Sequence, residues 1–181
     1  MSRRPILTAT MLASLALILP DVLSMPPRLI WNASASAPIG FYTIDDRTPA
    51  EVTDLVAVRP PPDIARWLDA HGYLPLGVPL MKRVLALPGH RVCREGAIIR
   101  VDGVEMGRAQ ALDHAGRPLP VWQGCRRIGK AEVFVMNWQS DDSLDGRYFG
   151  PLPSAGVIGR AVPLWTDEDG NGRFEWRAPT R

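Results

Sequence analysis

A serine becomes a nucleophile only when a neighbouring group takes its proton, so the residues that decide this chain's chemistry are its hydroxyls and the bases near them. The first stretch to weigh is Asn32-Ala33-Ser34-Ala35-Ser36-Ala37-Pro38-Ile39-Gly40-Phe41-Tyr42. Small neighbours leave room for another backbone to approach the Ser36 hydroxyl, Pro38 fixes its own φ, and Gly40 permits a sharp change of direction. A serine held this way is either an exposed nucleophile or part of a polar loop. The candidate base is Lys82, set in the apolar run Leu80-Met81-Lys82-Arg83-Val84-Leu85-Ala86-Leu87. Strand alternation puts Lys82, Val84 and Ala86 on one face. Burial of that face would lower the lysine pKa, and a neutral lysine can serve a serine as general base. The alternative is an edge lysine whose stem covers apolar surface while its ammonium reaches water. The third stretch, Ser140-Asp141-Asp142-Ser143-Leu144-Asp145-Gly146-Arg147-Tyr148-Phe149-Gly150, sets acids, hydroxyls and an arginine after an apolar run. Such a turn can pair Asp145 with Arg147 and offer Ser143 to a nearby amine, or it can be a solvated loop of self-capping aspartates.

Metal chemistry finds less support. Asp167-Glu168-Asp169-Gly170-Asn171-Gly172 opens like a calcium loop, but the glutamate required at its twelfth position is Ala178, so a hairpin turn is expected there. His71, His90 and His114 share no ligand spacing. Cys93 and Cys125 lack a CxxC pattern. No metal and no other cofactor is expected. The cysteines would form one disulfide in an exported protein and two buried thiols in the cytosol.

The N-terminus bears on the compartment. Arg3 and Arg4 precede an uncharged run, residues 6–20, which matches the basic and apolar regions of an export signal. The run is short of the ~20 residues of a full span, and Asp21 interrupts it. Residues 1–25 are expected to be a signal or membrane anchor and residues 26–181 one folded domain, facing outward because the arginine pair favours the cytoplasmic side. The length of 181 residues suits that division. A formal net charge of +2 gives no reason to expect a nucleic-acid partner. Eighteen prolines and 16 glycines cut the chain into short segments, which favours strands and turns over a helix bundle.

The expected positioning elements follow from these breaks. Residues 55–58, 79–87, 91–100, 104–109 and 131–138 read as strands, with Asp102-Gly103 as a hairpin dipeptide. Residues 64–70 read as a short helix capped by Asp63 and closed by Gly72. Residues 43–53 read as a polar loop or exposed edge, 110–130 as a long excursion, and 157–165 with 173–176 as a closing hairpin. Trp138, Trp165 and Trp176 are expected in the core or facing a membrane. The fold class is mainly β, with one or two short helices.

Taken jointly, Ser-Ala-Pro-Ile-Gly-Phe-Tyr from Ser36, Lys-Arg-Val-Leu-Ala-Leu-Pro-Gly from Lys82 and Ser-Leu-Asp-Gly-Arg-Tyr-Phe-Gly from Ser143 resemble the type I signal peptidases. More closely, they resemble the conjugation branch of that family, the TraF-type serine/lysine proteases that mature the pilin of plasmid transfer systems. The resemblance runs from about Asn32 to Trp165. It implies a signal peptidase I-like β-sheet catalytic domain with Ser36 as nucleophile and Lys82 as general base. It further implies that Ser34 helps hold the oxyanion, that Ser143 orients the lysine, and that Asp145 and Arg147 form an ion pair beneath the site. In that branch the aspartate is counted with the catalytic residues.

Three positions depart from the wider family. Ala-Pro-Ile-Gly follows the serine in place of Met-x-Pro-Thr, which marks the conjugation branch and argues against a general housekeeping signal peptidase. His90 stands where an acidic residue is common, and Gly146 where a serine is frequent. The resemblance implies an envelope endopeptidase at the periplasmic face of the inner membrane. Its substrate would be a pilin precursor, bound extended with small side chains in shallow pockets, and either hydrolysed or cyclised in the company of other transfer proteins. In an exported domain Cys93 and Cys125 would form a disulfide. The rival is a non-enzymatic, membrane-anchored β domain serving as an assembly part of a transfer channel. The distance from Ser36 Oγ to Lys82 Nζ discriminates between them.

Overall fold

The computed structural model describes residues 3–22 and 28–179. Helix α1 (Arg3–Val22) covers most of the expected targeting segment, of which residues 1, 2 and 23–25 lie outside the described residues. No helix among the described residues is long and apolar enough to cross a membrane. The rest is mainly β. In chain order it runs β1 (Leu29–Asn32), β2 (Ile39–Asp45), β3 (Leu55–Val58), α2 (Pro62–Ala70), β4 (Leu80–Ala86), β5 (Arg91–Glu95), β6 (Ile98–Val101), β7 (Val104–Arg108), β8 (Gly124–Arg127), β9 (Glu132–Val135), α3 (Gly146–Phe149), β10 (Leu152–Pro153), β11 (Val157–Asp167) and β12 (Glu175–Trp176). The larger sheet has the order β1-β2-β11-β3-β4-β9-β10, with β12 on β11, and the smaller has the order β7-β6-β5-β8.

Strand β4 is buried along its whole length, and so is β3 beside it. Both faces of this part of the sheet are covered, which is why these segments read as continuous apolar runs rather than alternating ones. Met81, Leu55, Tyr42 and Ile44 pack in one core cluster, while Val84, Val56, Val135 and Leu152 pack in another. A third cluster joins the sheets through Leu85, Val92, Ile99, Phe134 and Met136. Pairing of β4 with β9 begins only at Val84, opposite Val135, and its register shifts before Ala86↔Phe134. Lys82 therefore lies on the part of β4 that β9 has left, still paired on its other side with Val56 of β3.

Several sequence expectations are corrected here. The segment from residue 43, expected as a polar loop or exposed edge, begins as an inner strand, since Thr43, Ile44 and Asp45 complete β2, with Ile44 turned into the core. The alternating burial along β2 is hard to see in sequence because its outward positions mix apolar Ile39 and Phe41 with polar Thr43 and Asp45. Residues 91–100 are two strands, folded back at Gly96, where φ is +62°. At the next turn Asp102 and Gly103 both take positive φ, 49° and 88°, as the favoured two-residue hairpin requires. The excursion ends early, in β8. Asp63 does not cap α2, because the helix begins one residue before it at Pro62, and Pro61 occupies the cap without a side-chain hydrogen bond. Cys93 and Cys125 sit opposite each other on β5 and β8 and are joined by a disulfide, so neither is a buried thiol.

Gly40 fixes how closely β2 can approach β11. Its φ is +151°, and a Cβ there would lie 2.2 Å from the Trp165 carbonyl oxygen. Because the Ser36 stretch feeds directly into β2, this contact also sets where that stretch ends. Gly40→Ala is expected to destabilise the domain by about 1–3 kcal/mol, the usual cost of overpacking, read as a lowered midpoint in urea denaturation.

Candidate active site

The connection between β1 and β2 holds Ser36 half-buried at the floor of a groove. Side chains from both flanking strands shape it. Asn32, at the end of β1, donates from Nδ2 to the carbonyls of Ser34, Ala37 and Pro38 at 2.9, 3.1 and 3.0 Å. Its Oδ1 accepts the Ser34 N–H at 3.1 Å. From β2, the buried Tyr42 hydroxyl donates to the Pro38 carbonyl at 2.7 Å. Sequence inspection missed Asn32 because β1, four residues long and mostly exposed, carries no apolar pattern that would mark its end.

Lys82 reaches this connection from β4. Its Nζ lies 3.1 Å from Ser36 Oγ and 2.9 Å from Ser143 Oγ. The alternative of an edge lysine reaching water is excluded by its 5% exposure. Burial pushes its pKa down to about 8, with the Asp145 carboxylate opposing that shift and the Arg147 guanidinium reinforcing it. A neutral amine has one lone pair and two N–H groups, so it can accept the Ser36 proton while donating to Ser143. Ser34 Oγ sits 3.1 Å from Ser36 Oγ and accepts from the Ser36 N–H at 3.4 Å. The Ser36 N–H and the Ser34 hydroxyl thus lie beside Ser36 Oγ, donors of the kind an oxyanion takes up.

Beneath these groups lies a buried ion pair. Arg147, fully buried, donates from Nε to Asp145 Oδ1 at 3.0 Å and from Nη2 to Asp145 Oδ2 at 2.9 Å. The same guanidinium donates to the carbonyls of Ser140 at 2.6 Å, Ser143 at 3.2 Å and Asn137 at 3.3 Å. The loop that carries Ser143 is therefore wound around Arg147. Asp145 also caps α3 by accepting the Arg147 N–H. Of the two readings of this turn, an Asp145–Arg147 pair or a solvated loop, the structure has the first, as a buried hub. Its aspartates are divided by role: Asp145 faces inward, while Asp141 and Asp142 remain exposed. Gly146 is required where the wider family often has serine, because a Cβ there would meet the Phe134 ring and the Val135 carbonyl at 2.7 Å.

The groove above these residues has a volume of about 510 Å³. One wall runs through Trp31 and Ser34, the other through Leu68, Tyr73 and Leu74 of α2 and the turn after it, with Met81 and Leu144 between. Tyr73 is held in that wall by its hydroxyl on Asp113 and by the Arg117 guanidinium 4.9 Å over its ring. The role given to α2 from sequence, packing over a sheet edge, misses this wall, which depends on residues about forty positions farther along the chain.

Signal peptidases (peptidase S26) form the family whose model matches residues 3–165. A conjugal transfer protein TraF of Agrobacterium fabrum is 33% identical over 178 residues, 92% of this chain and 98% of that protein. A plasmid transfer protein TraF of Escherichia coli is 36% identical over 146 residues, 75% of this chain and 81% of that protein. A probable signal peptidase I-1 of Synechocystis is 32% identical over 114 residues, 63% of this chain and 54% of that protein.

Removing one partner of a buried, hydrogen-bonded ion pair leaves the other charge uncompensated, at a cost of about 3–5 kcal/mol. Arg147→Met should lower stability by that amount, measured by urea denaturation, because it strands the Asp145 carboxylate and frees the carbonyls of Ser140 and Ser143.

Proposed function

The chain belongs to the signal peptidase family, peptidase S26, and from that premise we propose that it is an envelope serine endopeptidase of conjugative transfer. Ser36 is its nucleophile and Lys82 its general base. The single observation that carries this reading is the buried Lys82 amine at 3.1 Å from Ser36 Oγ. That contact also favours the enzyme over a non-enzymatic channel component, which would have no use for a dehydrated lysine beside a serine. Likeness to two TraF transfer proteins over most of their lengths supports conjugation rather than general secretion as the setting.

Neutral Lys82 takes the Ser36 proton as Oγ attacks a peptide carbonyl, and the oxyanion accepts from the Ser36 N–H and the Ser34 hydroxyl. As the C–N bond breaks, the proton passes from Lys82 to the leaving amine. Ser143 keeps the lysine aimed throughout, and Arg147, held by Asp145, keeps Ser143 in place through its carbonyl. Water, activated in turn by Lys82, resolves the acyl-enzyme; the substrate's own terminal amine would instead close a ring. The substrate is a pilin precursor lying extended in the groove, along the stretch of β4 that β9 leaves unpaired.

We place the domain at the periplasmic face of the inner membrane. The basic start and uncharged run of α1 fit a targeting segment, which needs less apolar length than a span. Leu29 and Trp31 on β1, Trp165 on β11 and Trp176 on β12 are exposed apolar side chains at the β1 side of the sheet. Such side chains suit the boundary between headgroups and water. Protease added to spheroplasts should digest the domain; protection in intact spheroplasts would contradict this placement.

The testing experiment is intact-mass analysis of a coexpressed candidate pilin precursor. The wild-type chain should remove a peptide, and a further loss of one water would identify cyclisation. Ser36→Ala and Lys82→Arg should leave the precursor unprocessed, the latter because a guanidinium cannot release its proton. In vitro, the rate should climb roughly tenfold per pH unit below about 8 and level off above it, as Lys82 loses its proton. Near-normal processing by Lys82→Arg would end the Ser–Lys mechanism.

A further inference from the structure

Asn137 lies just past β9, inside the segment 131–138 expected as strand, and was not singled out from sequence. Here its side chain is buried at 2% exposure and enters the gap between β4 and the Ser36 connection. Its Oδ1 accepts the Arg83 N–H at 2.8 Å, and its Nδ2 donates to the Met81 carbonyl at 3.1 Å and the Ser36 carbonyl at 2.7 Å. The amide thus grips the main chain on either side of Lys82 and the main chain of Ser36 at once. Its own N–H donates to Asp145 Oδ2 at 3.0 Å, which ties the grip to the buried ion pair.

The polarity of these contacts admits few substitutes. One main-chain donor and two main-chain acceptors converge on a single short side chain, and a carboxamide matches that set with its one oxygen and two N–H groups. Reversing the amide would press its oxygen against two carbonyls, and so would aspartate. An apolar replacement would leave main-chain groups beside β4 without partners. No other residue described here hydrogen-bonds both to Ser36 and to the neighbours of Lys82. The Lys82–Ser36 contact runs through a flexible four-carbon stem, whereas Asn137 fixes the distance between the two backbones.

We infer that Asn137 is a positioning residue for the Ser36–Lys82 pair, holding the two backbones in register so that the amine meets the hydroxyl; this rests on the reading of that pair as nucleophile and base. Asn137 touches no reacting atom, so its loss should slow acyl transfer to Ser36 without changing what the groove binds.

The test uses the full chain and p-nitrophenyl acetate, an activated ester small enough to need no groove. Acetylation of Ser36 is followed by p-nitrophenolate release and located by peptide mass, alongside thermal unfolding of each variant. Asn137→Ala, assayed below its unfolding transition, should acetylate about ten- to a hundredfold more slowly, the scale of a misplaced reacting pair. In a Lys82→Ala background the same substitution should add no further slowing, although its effect on thermal unfolding persists. Asn137→Ser keeps a hydroxyl that can serve one of the main-chain partners and carries the same expectation, so loss of fold in the alanine variant leaves the question decidable. A folded Asn137 variant reacting at the wild-type rate would overturn the inference. So would equal slowing with and without Lys82, which would mark a purely structural residue. Wild-type chain that fails to acetylate at Ser36, or Lys82→Ala that reacts as fast as wild type, would instead remove the Ser–Lys reading itself and the inference with it.

Discussion

The structure depends on stripping water from the Lys82 amine without giving it a carboxylate. An ordinary lysine, with a pKa near 10.4, has roughly one amine in two thousand neutral at pH 7. A pKa of about 8 raises that to roughly one in ten. Burial supplies the shift, and a carboxylate in direct contact would undo it. Hydroxyls solve the problem, because they satisfy the amine as hydrogen-bond partners while carrying no charge. The two groups at hydrogen-bond distance from Nζ are the hydroxyls of Ser36 and Ser143.

That arrangement leaves Asp145 to be dealt with, since its negative charge opposes the shift from nearby. Arg147 engages both carboxylate oxygens, and its planar fork also reaches three carbonyls of the surrounding loop. Lysine could not replace it, having neither the bidentate geometry nor the number of fixed donors. A buried pair of this kind is weak evidence of stability, given the desolvation of both ions. Its value here is positional: it gives the loop one conformation, the one that presents Ser143 to the amine.

Much of this was legible in the sequence, and for physical reasons. Lys82 was conspicuous because a charge inside an apolar run needs an explanation, and β4 turned out buried at every position. Asp102-Gly103 announced a hairpin because few other pairs tolerate two positive φ values. Asp145 and Arg147, two apart, were close enough in sequence to suggest pairing. Asn32 and Asn137 were not legible, since their partners are main-chain atoms and main-chain groups leave no trace in residue type. Asn137 is 101 residues from the serine it holds. The groove wall was hidden for the same reason of distance: Tyr73 is fixed by residues of the excursion, which looked featureless from its composition. Strand β1 was missed because an exposed edge strand has no buried face to impose a pattern.

The contacts that assemble the site span 46, 61 and 101 residues of chain. Loop-closure entropy makes such contacts late events in folding. No local segment contains both Ser36 and Lys82, and a partly folded chain, even one with β4 and the hairpins formed, has a charged, hydrated lysine and an ordinary hydroxyl. Proteolytic competence is therefore a property of the finished tertiary structure. Under the proposed chemistry, a newly made chain stays latent until its last long-range contacts close.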